Sequence, residues 1–192
     1  MWLRASSPVL ALLVLCSCAQ RDLWPKEQLD PKTAVNVTIM AEPWVYSLDV
    51  RMLAANARDY LNVGVVETNR AGTRAYWLGV IAWSTIDRRV YAAVDPSERP
   101  TKVRLIWSAT NLELIPAAGG RSAVGLSEPV LVDPTFKFTE TWYSLSTAQV
   151  AQLGAGAPAT IALIDEKGQP TTYEKWIVNA SAMSEFLKAV GL

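Results

Sequence analysis

The chain has 192 residues, 51% of them hydrophobic, with 18 basic and 18 acidic side chains and no histidine. This apolar content excludes a disordered chain, and the size suits one domain that buries roughly two-thirds of its unfolded surface. Without a basic stripe, nucleic acid is excluded as a partner, and without histidine neither a Ser–His–Asp nor a Cys–His site exists and the commonest metal ligand is missing.

In chain order, Arg4 and the terminal amine open the sequence, and a short apolar run from Pro8 to Cys16 follows, ended by Gln20, Arg21 and Asp22. Such a run is too short for a ~20-residue membrane span and suits a cleaved export signal over residues 1–17. Its loss removes Arg4 and no acid, leaving the remainder one charge negative. Cys16 and Cys18 are the only cysteines, so the chain beyond them has no disulfide of its own and no thiolate cluster. Neither a metal nor a cofactor is expected.

The stretch Leu15-Cys16-Ser17-Cys18 resembles the lipobox of bacterial lipoproteins, in which a leucine, a spacer and a small residue precede the acceptor cysteine. Cys16 fits as acceptor less well, because bulky Leu15 would fill the small-residue position. The resemblance implies cleavage after Ser17 and acylation of Cys18, with several chains giving stable membrane attachment. It also implies an outer-membrane lipoprotein facing the periplasm, because Ala19 stands where an aspartate would favour retention at the inner membrane.

Residues 18–33 read as the lipidated cysteine and a polar tether, reaching ~50 Å at ~3.4 Å per residue, with Trp24 assigned equally to the domain surface and the lipid interface. Residues 34–192 form the domain. Val35, Val37 and Ile39 alternate with polar neighbours, as do Leu61, Val63 and Val65, which predicts half-buried strands. Asn69 and Gly72 supply turn chemistry before residues 74–85, apolar on both parities and therefore a central strand covered on each side. Val103, Leu105 and Trp107 continue the period of two, followed by strands at 112–115, 129–132 and 136–143 around a Gly/Ala/Ser-rich loop at 116–127. Strands at 160–164 and 171–178 flank the hairpin turn Asp165-Glu166-Lys167-Gly168. Ser146 and Gln149 predict a capping box, with Leu145 and Val150 as its hydrophobic staple and the helix ending at Gly154. Met183, Phe186, Leu187 and Val190 lie on one stripe of a C-terminal helix with cap residues at Asn179 or Ser181. The expected fold is mainly β, an antiparallel sandwich or partly open barrel of about eight strands with two short helices.

Trp44, Trp77, Trp83, Trp107, Trp142 and Trp176 fall in or beside strands and are expected mainly in the core, since each ring buries ~150–250 Å². Trp44 follows Glu42-Pro43 in a loop-like stretch and is a candidate partner or ligand contact. Arg88 and Arg89, at the end of the central strand, are further candidates. Glu140 shares its parity with Phe136, Phe138 and Trp142, which suggests a raised-pKa acid or, more simply, an ion pair with an arginine. Segment 58–89, with Arg58-Asp59-Tyr60-Leu61, Glu67-Thr68-Asn69-Arg70-Ala71-Gly72 and Trp83-Ser84-Thr85-Ile86-Asp87-Arg88, resembles a segment of uncharacterised proteobacterial envelope proteins, a likeness that implies no activity. The functional expectation is a non-enzymatic envelope lipoprotein, held to the membrane through Cys18, that binds a protein partner as an assembly, accessory or immunity-type factor. The alternative is a small-ligand or glycan binder using exposed Trp or Tyr residues. A flat apolar patch favours the first reading and a groove lined by tryptophan the second.

Overall fold

The long hairpin of β4 (Arg58–Arg70) and β5 (Thr73–Ser84) is the frame on which the other strands are hung. The computed structural model describes residues 23–49, 57–85, 102–131 and 138–192. The hairpin turns on Ala71 and Gly72, both at positive φ (49° and 89°), as a two-residue type I′ connection requires. Asn69 Oδ1 accepts from the Gly72 amide at 2.9 Å, so the turn chemistry at this point has its expected role. Every residue from Leu61 to Thr68 is buried, so β4 is covered on both faces.

The remaining strands are β1 (Lys26–Leu29), β2 (Asn36–Ile39), β3 (Trp44–Asp49), β6 (Lys102–Ile106), β7 (Asn111–Leu114), β8 (Phe138–Leu145), β9 (Thr160–Ile164) and β10 (Pro170–Ile177). All pair antiparallel in one ten-stranded sheet. β8 borders β5, and on the other side of β4 the order runs β3, β10, β9, β6, β7. The sheet stays open as a set of paired strands. After β7 the chain nevertheless returns to β8, through one bridge between Pro116 and Tyr143 and a 2.7 Å hydrogen bond from the Ala117 amide to the Trp142 carbonyl. The expected mainly-β, partly open architecture is therefore present. Its eight-strand circuit carries two more strands, because β2 shares an edge of β4 with β3 and β1 adds to β2. Pro43, which has no N–H to offer, falls in the break between β2 and β3.

Three helices join this sheet: α1 (Arg121–Val124), α2 (Thr147–Gly154) and α3 (Ala180–Val190). α2 has the complete Ser146/Gln149 capping box, and α3 is capped by Asn179 Oδ1 on the Ser181 amide. Both direct their apolar stripes, Val150 and Leu153 of α2 and Met183, Phe186 and Val190 of α3, into the inner core with Trp44, Tyr46, Leu61, Leu78, Val80, Tyr143 and Ile161. Helix α1, in the segment read as a loop, belongs to a second core on the outer face. That core unites Val35, Val37, Ile39, Val66, Ile81, Val124, Leu126, Leu131 and Trp142. No strand forms at 129–131, and position 132 lies outside the described residues. Leu131 instead lies over Gly64 and Gly79, which face each other across the hairpin. A Cβ at either glycine would come within 2.6 Å of it.

From Leu23 onward the chain is part of the fold, which corrects the reading of 18–33 as tether. β1 has exposed, mostly polar side chains and so mimics a linker, but its backbone pairs with β2 from Lys26–Ile39 to Leu29–Asn36. Asp30 then fastens the entry segment to the chain after α1. Its carboxylate accepts from the Ser127 amide at 2.6 Å, the Ser127 hydroxyl at 2.9 Å and the amides of Lys32 and Thr33. Burial raises the Asp30 pKa, but these four hydrogen bonds outweigh it and hold the carboxyl well below the usual carboxylate range. A depressed folded pKa stabilises above the unfolded value of about 3.9, and this contribution disappears as pH falls below it. Asp30→Asn is expected to lower the melting temperature at neutral pH, and the gap to the parent should shrink on acidification below that value in a pH series of thermal melts.

Two inner-core tyrosines provide a second test. Tyr46 Oη donates to the Pro158 carbonyl at 2.9 Å, whereas Tyr143 Oη has no partner among the described residues. Burial pushes both phenols above their ordinary pKa. Tyr46→Phe orphans a carbonyl and should cost about 1 kcal/mol, while Tyr143→Phe removes an unsatisfied hydroxyl and should be neutral or stabilising in denaturant titrations.

Candidate interaction surface

Alternation along β4 sends Leu61, Val63 and Val65 inward and Arg58, Tyr60 and Asn62 outward. Trp83 of β5 stands directly across from Tyr60, and the two rings stack at 4.5 Å between centroids with 18° between planes. The Trp83 indole N–H donates to Asn62 Oδ1 at 3.1 Å, which fixes its orientation. Phe138 of β8 is the register partner of Trp83 on the other side. The outer core therefore grades into an aromatic row at the end of the sheet where β3 finishes and β4 begins.

On the far side, β3 places small Ser47 opposite both Tyr60 and Glu174. β10 shifts register between Lys175 and Ile177, so Trp176 is the extra residue of a bulge. The irregularity brings Ile177 to the outward side that Trp176 already shares with Glu174, leaving Trp176 49% and Ile177 55% exposed. The Trp176 ring reaches across β3 to meet Tyr60 edge-on at 6.3 Å. Arg58 lies over the same ring at 4.5 Å and donates from Nε to Asp49 Oδ1 at 2.8 Å. Hydrogen bonding to Asp49 is the main cause that raises the Arg58 pKa, so the guanidinium stays charged. The result is an ordered aromatic and arginine surface rather than a cleft.

The expected site residues fare differently. Trp44 opens β3 and is only 1% exposed, with its indole N–H donating to the Asn179 carbonyl at 3.3 Å. It holds the start of α3 to the sheet and presents nothing to a partner. The Glu42-Pro43 sequence that looks like a loop is a short break between strands lying on the same edge. Arg88, Arg89 and Cys18 lie outside the described residues. Glu140 is an ion-pair residue: Arg121 holds Oε2, with Nε at 2.9 Å, and the Trp142 indole donates to Oε1 at 3.0 Å. Both oxygens are engaged, Oε2 clamping α1 to β8 and Oε1 fixing the Trp142 indole within β8. Trp176 is expected mainly in the core, but it shares its parity with exposed Thr172 and Glu174, opposite buried Tyr173, and the bulge brings Ile177 to the same side.

A further buried acid is also occupied structurally. Glu67 is buried and meets Arg74 across the hairpin, with Arg74 Nη2 at 3.1 Å from Oε2. This pair lines a polar recess of about 470 Å³ between β1, β2 and β4. Among the described residues no group of three His, Cys, Asp or Glu side chains could hold a metal ion, and no helix is long and apolar enough to cross a membrane. No protein-family model matches the chain, and comparisons with curated proteins and with solved structures return no match.

Replacing Trp176 tests whether this face is a surface feature or part of the frame. Trp176→Ala should change the melting temperature little, because half the ring is already in water, whereas Trp83→Ala removes a ring packed on the outer core and should cost about 3 kcal/mol or more. Differential scanning calorimetry of the two variants checks the contrast.

Proposed function

We propose that this chain is a lipid-anchored, non-enzymatic protein of the bacterial envelope that binds a protein partner through the face formed by Arg58, Tyr60, Trp83 and Trp176. One observation carries the reading: the end of β10 presents a half-exposed tryptophan that packs against an arginine and a tyrosine on an open sheet. Trp, Tyr and Arg are the residue types that dominate binding energy at protein interfaces, because they bury much area for few rotatable bonds. An open face, rather than a cleft, matches the broad contact a protein partner makes. The anchor is supported by the lipobox-like Leu15-Cys16-Ser17-Cys18, and Ala19 favours the outer membrane, facing the periplasm. The role requires no cofactor. Nothing in the residue inventory suits histidine-dependent hydrolysis.

A second reading has the same face stack on a glycan, since the partly exposed Trp176 ring is the kind of surface on which a sugar packs. Crosslinking and pull-down of the native lipidated protein separate the two. Trp176→Ala and Arg58→Ala should each weaken capture of a protein partner by about tenfold or more, an effect of hot-spot size, while Lys167→Ala in the β9–β10 turn should leave it unchanged. Loss of tryptophan emission on adding envelope glycans, with no protein captured, would move the assignment to glycan binding. Cys18→Ser should leave the protein unprocessed or release it from membranes on fractionation, and an unchanged membrane-bound mature form would refute the anchor.

A further inference from the structure

The chain emerges from the anchor much closer to the domain than its polar composition suggests. Leu23 already packs against the inner core, and Pro25 is buried. Four residues lie between Cys18 and Leu23, a reach of at most ~17 Å over steps of ~3.4 Å per residue. Between these two fixed residues, Trp24 is turned outward and 57% exposed. β1 follows at the end of the strand order, every residue exposed, with Lys26 and Glu27 at its start and Leu29, 60% exposed, at its end. Lys32, also exposed, comes just after. An indole, an aliphatic side chain and two lysines thus lie six to fourteen residues beyond the proposed lipid.

We infer that this entry edge rests on the bilayer, with the Trp24 indole at headgroup depth and Lys26 and Lys32 over anionic lipid. The inference rests on the lipid-anchor reading of Cys18. The occupant follows from chain length: a domain whose core begins at most ~17 Å from its acylated residue is held beside the headgroup layer, and the entry edge is the part that leaves the anchor first. Tryptophan prefers that layer because its ring is apolar and its N–H is polar, and exposed lysines are drawn to the negative surface. The domain is then oriented by two contacts, the lipid and the β1 edge, rather than swinging on a long leash.

The test uses the full mature protein, acylation confirmed by mass spectrometry, in vesicles of phosphatidylethanolamine and phosphatidylglycerol with and without brominated acyl chains. Subtracting the emission of Trp24→Phe from that of the parent isolates Trp24, and circular dichroism verifies that the variant is folded. The Trp24 component should lose roughly half its emission to lipids brominated near the headgroup, as expected of an interfacial indole, and should be shielded from aqueous iodide. Acylated protein whose Trp24 is untouched by bromolipid and fully open to iodide overturns this inference alone. A mature chain with no acyl mass overturns the anchor reading and this inference with it.

Discussion

The structure depends on burying β4 from Leu61 to Thr68 on both faces at once. A strand this apolar cannot lie on a surface, so each face needs its own cover. On the inner side the curled sheet and the stripes of α2 and α3 provide it. On the outer side, the segment after β7 folds back, and Leu131 settles over the two facing glycines of the hairpin. Glycine is required there for space rather than for backbone freedom. A larger residue would lift Leu131, and with it the cover held by Val124 and Leu126.

Polar groups fasten these covers at defined points. The indoles of Trp44, Trp77, Trp83, Trp107 and Trp142 all donate to an oxygen elsewhere in the chain. A buried N–H left unpaired would cost about 1–3 kcal/mol, so each bond selects one placement of a large ring among several that apolar packing alone would allow. Arg121–Glu140 ties α1 to β8, and Asp30 ties the entry segment to Ser127. The aromatic face therefore belongs to a rigid frame: Trp83 is held by Asn62, Tyr60 is stacked on Trp83, and Trp176 is flanked by Tyr60 and Arg58. A pre-ordered surface of this kind loses little entropy when a partner arrives.

The same ordering bears on the anchor. With β1 in the sheet and Asp30 locked, the greatest reach between a lipid on Cys18 and the domain shrinks from ~50 Å to ~17 Å, at ~3.4 Å per residue. A partner would then meet the domain close to the membrane surface rather than at the end of a leash. The aromatic face and the entry edge are separate regions of the sheet, so one can face a partner while the other faces lipid.

By itself the sequence determined whatever depends on local chemistry. The alternation around Val103, the strand at Thr160–Ile164, the Asn69–Gly72 and Asp165–Gly168 turns, the Ser146/Gln149 box and the Met183–Val190 stripe all appear as read, because period and turn type are set by near neighbours, whereas the strand around Leu61, half-buried by its alternation, is covered on both faces. Two-sided burial of β5 was legible in its apolar residues on both parities. Tertiary structure decided what lies against each face. β1 carries a linker's composition and becomes a strand only because the β2 edge accepts its backbone. Trp44, beside a proline, is buried by the start of α3, and Ile177, at the end of a strand, is turned out beside Trp176 by a bulge. Parity divides a strand into two faces, but which face meets water is settled by segments distant in the chain, and the residues of the strand carry no mark of them.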